Sequence, residues 1–189
     1  MVDFTLYDAR SAPAAARPAL EKVAKNMGFV PNLFGKMAEA PAALEGYLTL
    51  SQIYGRSSLN AQDQQVALLA ISVENGCEFC VAAHSAGAKS AGVGPEIVAA
   101  LRRGETPAHT PLGALAEFAR TVARKRGLVG QDTLQRFIDA GYTRQNVLEV
   151  VLATALKTLS NYTNHIARTP LNRELESERW QASEKEAAS

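Results

Sequence analysis

The chain has 189 residues, enough for one domain with a full hydrophobic core; 47 % are hydrophobic but only 6 % aromatic, and this alanine- and leucine-rich balance favours helix packed on helix. A formal net charge of +1, with no Lys/Arg patch interleaved with aromatics, excludes nucleic acid as the main partner. No apolar run approaches the roughly 18 residues of a membrane span, and Met1-Val2-Asp3-Phe4 opens neither a basic nor an apolar leader, so a cytoplasmic protein with no membrane partner is expected.

After an alanine- and proline-rich start, Leu20, Val23, Ala24 and Met27 recur at helical spacing over 17–27, and Gly28 closes that helix. Val30-Pro31-Asn32 makes a turn and cap before a short helix with Leu33, Phe34 and Met37; Pro41 opens another with Leu44, Tyr47, Leu48 and Ser51 on one side. Leu59-Asn60 leads into a helix over about 61–74, whose stripe of Val66, Leu69, Ala70 and Val73 runs directly into the cysteines. A helix over about 77–91 follows and stops at Gly92-Val93-Gly94; its Ala82, Ala83, Ala86 and Ala88 permit close helix approach. Pro95 starts a short helix through Arg103, and after a loop over 105–110 with an exposed His109, Pro111 opens a helix carrying Leu115, Phe118, Ala119 and Val122. A helix over about 131–140 uses Leu134, Phe137 and Ile138 and ends at Gly141. The last helix, about 144–166, sets Leu148, Leu152, Ala155, Leu159 and Tyr162 on one stripe and ends before Pro170. Arg102-Arg103 and Arg124-Lys125-Arg126 fall late in helices, where cations suit the dipole on a solvated face.

No run alternates with a period of two, so the fold class is all-α. The expectation is one compact helical domain over 1–171 and a charged tail over 172–189, helical or frayed, with Trp180 anchoring it to a neighbouring subunit. Gln65 to Cys77 and Glu149 to Asn161 lie eighty-four positions apart, and each is an apolar helix entering an asparagine-containing polar cluster. That echo points to a duplicated helical unit.

The chain's only two cysteines share the stretch Asn75-Gly76-Cys77-Glu78-Phe79-Cys80-Val81-Ala82-Ala83-His84 with one of its three histidines. In a helix, Cys77 and Cys80 stand at i and i+3, with His84 four residues beyond Cys80, so all three line one face. Asn75-Gly76 ends the preceding helix, and Cys77 opens the next near its positive end, which favours a thiolate. A thiol of pKa about 8.5 is only about 3 % ionised at pH 7, whereas a pKa near 6 makes it about 90 % ionised. That shift is worth about 3.4 kcal/mol, and a helix terminus supplies only about 0.3–1 kcal/mol. A proton acceptor must contribute, and His84 is the nearest in sequence. The competing reading makes the cysteines small buried hydrophobes. Three ligands with no second CxxC fall short of a zinc site, so no metal is expected.

The run Leu68-Leu69-Ala70-Ile71-Ser72-Val73-Glu74-Asn75-Gly76-Cys77-Glu78-Phe79-Cys80-Val81-Ala82-Ala83-His84, a Cys-x-x-Cys-x-x-x-His after an S-x-x-N-G helix end, resembles the alkylhydroperoxidase D-like (AhpD-like) branch of the carboxymuconolactone decarboxylase family. The likeness is strongest over about 59–94. Phe29-Val30-Pro31-Asn32 and Ser160-Asn161-Tyr162-Thr163-Asn164-His165 also resemble its peroxidase-related members, which extends it over about 30–170. The resemblance implies an all-helical homo-oligomer, trimer or hexamer and sometimes dimer. It also implies a thiol peroxidase that needs no haem, flavin or metal cofactor. One cysteine attacks a hydroperoxide substrate and becomes a sulfenic acid, the other condenses with it to a disulfide, and an external dithiol reductant completes the cycle. Cys77, Cys80 and His84 match the family's thiol pair and relay histidine.

The family's relay glutamate, twelve residues before the first cysteine, falls on Gln65, which hydrogen-bonds but accepts no proton at neutral pH. Phe79 stands where some relatives place a further histidine. Glu74, three residues before Cys77, is one replacement for the missing carboxylate, or else an exposed helix-end acid. His165 is another if the last helix packs beside the cysteines, or else it caps that helix's C-terminus. Asn161 and Tyr162 line the same pocket, or are buried and satisfied elsewhere. The leading expectation has Cys80 activated by His84 with Cys77 as its disulfide partner, with the reversed assignment open. The alternatives are a carboxymuconolactone-type decarboxylase, which needs no thiols, and a non-catalytic redox-sensing or structural oligomer.

Overall fold

The structure, a computed structural model, describes residues 2–182. Among these residues it is all-helical, in the order α1 (Arg17–Met27), α2 (Asn32–Met37), α3 (Pro41–Tyr54), α4 (Ala61–Glu74), α5 (Glu78–Ser90), α6 (Pro95–Arg102), α7 (Pro111–Arg124), α8 (Gln131–Asp139) and α9 (Arg144–Ala167), closed by a 3₁₀ helix, Arg173–Glu178. Period and punctuation placed each of the α-helices to within a few residues. The reason is local: Asn60 Oδ1 caps α4 by accepting from the Asp63 N–H at 3.0 Å, and prolines open α3, α6 and α7.

Helix α4 is the axis of the molecule. Every residue from Val66 to Val73 is buried rather than one stripe of them, because α5, α6, α7 and α9 all pack against it. Gly76 takes a left-handed φ of 64° and turns the chain sharply from α4 into α5. Cys77 is thereby the N-cap residue of α5, with extended φ and ψ of −88° and 96°. Helix α8 is held on α7 by stacked rings, Phe118 on Phe137 at 4.3 Å and Phe137 on Tyr142 at 4.5 Å.

Helix α9 turns a different face inward from the stripe read in its sequence. Leu148 and Tyr162 of that stripe are 70 % and 56 % exposed. The buried face instead carries Val150, Ala153 and Leu156 together with Lys157, Ser160, Asn161 and Asn164. Polar groups go inward there because they meet one another and the α4–α5 turn, where Asn75 Nδ2 donates to Asn161 Oδ1 at 2.8 Å. The two runs proposed as an internal echo thus meet at their asparagines. They then diverge, since α4 ends at Glu74 while α9 continues unbroken to Ala167.

Residues 172–180 are tied to the body. Asn172 is buried, accepting from the Asn32 N–H at 2.7 Å. The 3₁₀ helix lies on α5, and Trp180, expected at a neighbouring subunit, donates its indole N–H to the Arg102 carbonyl of its own chain at 2.8 Å. Arg102 is not a solvated cation either. Its guanidinium donates to Ser85 Oγ and to the Glu178 and Arg179 carbonyls at 2.9–3.1 Å. Residues 183–189 of the expected tail lie outside the described residues.

Candidate active site

Both thiols are free and buried, with Cys77 0 % and Cys80 2 % exposed. The turn at Gly76 holds Cys77 in place through its N–H, which donates to the Ser72 carbonyl at 2.9 Å. From α9, Asn164 Nδ2 reaches both sulfurs, 3.5 Å from Cys77 Sγ and 3.3 Å from Cys80 Sγ, and Ser160 Oγ lies 3.9 Å from Cys80 Sγ. Tyr47 of α3 completes this wall with a hydroxyl that hydrogen-bonds Ser160; burial raises its pKa, so it stays protonated.

The cation of the site lies outside the CxxC motif. Lys157 is 1 % exposed, and its Nζ stands 2.8 Å from His84 Nε2. The ammonium donates to Nε2, which fixes the neutral tautomer with Nδ1–H donating to Gln65 Oε1 at 3.1 Å. Burial and the adjoining Lys157 charge both hold His84 well below the usual histidine pKa. Burial alone would also discharge Lys157, but the negative charge that Cys80, Tyr47 and Cys77 carry when ionised outweighs it and raises its pKa.

These surroundings split the two thiols. Cys77 is lowered to about 6, first by the hydrogen bond it takes from the Cys80 thiol, then, against burial, by the Lys157 charge, the Cys80 backbone N–H and the Asn164 amide. Cys80 is raised well above an ordinary thiol, first by burial and next by its bond to Cys77. At neutral pH the pair is therefore a Cys77 thiolate beside a Cys80 thiol, and the only formal charges among them are that thiolate and Lys157. This favours the reversed assignment of the cysteines, because the thiol at the helix N-cap collects donors while its partner supplies one.

The structure brings together Cys77, Cys80, His84, Gln65 and Asn161 and separates the rest. His84 does not meet the thiols directly, because both ring nitrogens are engaged by Gln65 and Lys157. Glu74 points toward α7 and pairs with Arg124 at 3.8 Å. His165 is exposed, and Tyr162 lines a groove with Phe4, Met37 and Ile166 on the outer side of α9. Lys157, Asn164, Ser160 and Tyr47 complete the site without having been singled out. One signal for Lys157 was available: it stands seven residues after Val150 and four after Ala153, in register with the buried face of α9.

Residues 37–125 match the model of the carboxymuconolactone decarboxylase family. No curated protein matches the sequence. Among solved structures, the chain is similar to an alkylhydroperoxidase AhpD core, a peroxidase-related protein from Ralstonia eutropha JMP134, at a TM-score of 0.80 and 20 % identity over 91 % of this chain and 93 % of that one. A peroxidase-related protein from Silicibacter sp. TM1040 gives a TM-score of 0.77 at 17 % identity, covering 92 % of each chain. The debrominase Bmp8, bound to 2,3,4-tribromopyrrole, gives 0.73 at 14 % identity over 94 % of this chain and 95 % of its own.

Proposed function

We propose, for a chain whose residues 37–125 belong to the carboxymuconolactone decarboxylase family and whose fold is AhpD-like, a thiol-dependent peroxidase that reduces hydroperoxides through Cys77 and Cys80. The observation that carries this reading is the division of labour at the dithiol: a Cys77 thiolate held at a helix N-cap, a protonated Cys80 beside it, and the buried ammonium of Lys157 facing both.

The chemistry balances with these groups. The Cys77 thiolate gives two electrons to the distal peroxide oxygen; an S–O bond forms, the O–O bond breaks, and the leaving alkoxide takes a proton from the Lys157 ammonium. Cys80 then attacks the sulfenic sulfur, and the hydroxyl leaves as water with the Cys80 proton. An external dithiol reduces the disulfide, and the extra proton it delivers recharges Lys157. His84, held neutral by burial and the Lys157 charge and in one tautomer by Gln65, accepts from Lys157 and keeps the ammonium aimed at the thiols.

Rapid mixing of the reduced protein with an alkyl hydroperoxide tests the reading. The expected result is one Cys77–Cys80 disulfide per peroxide consumed, lost in Cys77→Ser and arrested at the sulfenic acid in Cys80→Ser. No disulfide in the native protein would overturn it, and turnover of a muconolactone by a double Cys→Ser variant would make it a decarboxylase instead. The same reading includes self-association through the outer face of α9, where Leu148, Val151, Tyr162 and Ile166 are 48–70 % exposed, an apolar stripe suited to a second copy of this chain.

A further inference from the structure

Two buried amides beside the dithiol are only half used. Asn161 is 0 % exposed and Asn164 6 %. Among the described residues, Asn164 Oδ1 and Asn161 Nδ2 have no hydrogen-bond partner. The other end of each is committed: Asn164 Nδ2 to the two sulfurs, and Asn161 Oδ1 to the Asn75 amide at the turn that presents Cys77. Three residues apart on α9, the two side chains are neighbours on one helix face. Buried polar atoms are almost always paired, so an unpaired acceptor on the amide that holds the two sulfurs, with an unpaired donor one turn away on the same helix face, forms a ligand-shaped demand.

A hydroperoxide answers both halves of it. Its distal oxygen carries a hydrogen to donate, and its proximal oxygen accepts and becomes the anionic leaving group. A disulfide has no O–H and leaves the acceptor unanswered.

We propose that Asn161 and Asn164 are the seat of the hydroperoxide, Asn164 Oδ1 accepting the distal O–H while Cys77 attacks that oxygen, and Asn161 Nδ2 donating to the proximal oxygen as it departs. The distal oxygen keeps its hydrogen throughout, so the S–O bond forms as the O–O bond breaks and the product is a neutral sulfenic acid held by the same Asn164 oxygen. The alkoxide, steadied by Asn161, takes its proton from Lys157. This assignment rests on the peroxidase reading and narrows it, making both asparagines catalytic residues and the substrate class one with an O–O–H group.

The test compares two reagents on the reduced protein: tert-butyl hydroperoxide, and methyl methanethiosulfonate, a small thiol reagent with no O–H that reads thiolate fraction and access. Asn164→Ala and Asn161→Ala should each lower the hydroperoxide rate relative to the thiosulfonate rate by about 10- to 100-fold, the range for deleting a hydrogen bond to a developing charge. Asn164→Ser, which keeps an accepting oxygen, should recover part of the loss. An Asn164→Ala protein without its helical circular dichroism would pass the decision to Asn164→Ser and Asn161→Ala. If both rates fall together, or neither does, the amides merely support the thiolate and the seat is wrong. If the native protein forms no disulfide with hydroperoxide while reacting with the thiosulfonate, the peroxidase reading itself fails.

Discussion

With its thiol lowered to about 6, Cys77 is protonated and inert in acid and ionised above that point, so its alkylation rate should rise through a midpoint near pH 6 and then level off. Lys157→Met, close in volume but uncharged, removes a cation that favours the thiolate. The midpoint should move up toward the ordinary thiol value of about 8.5, and the hydroperoxide reaction at neutral pH should slow by about tenfold or more. An iodoacetamide pH profile of each protein checks both. The same residue marks the limit of residue-level reading: Cys77, Cys80 and His84 declare themselves by type and spacing. A single lysine among Leu156, Thr158 and Leu159 looks like any surface lysine until the helix is seen to face inward.

At the level of elements, α4 and α5 cross closely because Gly87 leaves room for Gln65. A Cβ on Gly87 would stand 2.4 Å from Gln65 Oε1, so Gly87→Ala must push the amide aside and strip His84 Nδ1 of its partner. Alanine gains about 1 kcal/mol over glycine inside a helix, and the lost hydrogen bond costs a similar amount. The expected outcome is a nearly unchanged Tm with a displaced His84 ring ¹⁵N resonance and a slower peroxide reaction. Unchanged histidine shifts would contradict the role given to Gln65. Element ends were legible in the sequence for the same local reason that makes Gly76 work: caps, prolines and left-handed glycines act within a few residues. Facing was not. Helix α9 carries two usable stripes, and hydrophobicity selects the one on which Leu148, Ala155 and Tyr162 are exposed and Leu152 and Leu159 only half-buried, since Lys157, Ser160, Asn161 and Asn164 make the inward stripe look polar.

Across the whole molecule, the segment 173–182 straps α5 to α6 through Arg102, Glu178 and Trp180, with a Lys89–Glu178 ion pair at 2.6 Å. Arg102→Ala removes three guanidinium hydrogen bonds and should cost about 1–3 kcal/mol locally. Because Trp180 is the chain's only tryptophan, the loosened strap should be read as a red-shifted fluorescence maximum before any global loss of helix. On the opposite side, Leu148→Arg with Ile166→Arg places charges on the exposed stripe of α9 and should convert an oligomer to monomers in sedimentation velocity. A monomeric parent protein would remove the self-association reading. No helix among the described residues is long and apolar enough to cross a membrane.

The sequence alone determined the all-helical class, the helix limits and the CxxC-x3-H motif at a helix start, because these depend on contacts only a few residues apart. The tertiary structure decided which face of α9 turns inward, and so that Lys157, seventy-three residues after His84, becomes its nearest cation. Helical periodicity says which side chains share a face; only packing against α4 and the Gly76 turn says what that face meets. The charge that sets the two cysteines apart therefore comes from a residue the motif does not contain.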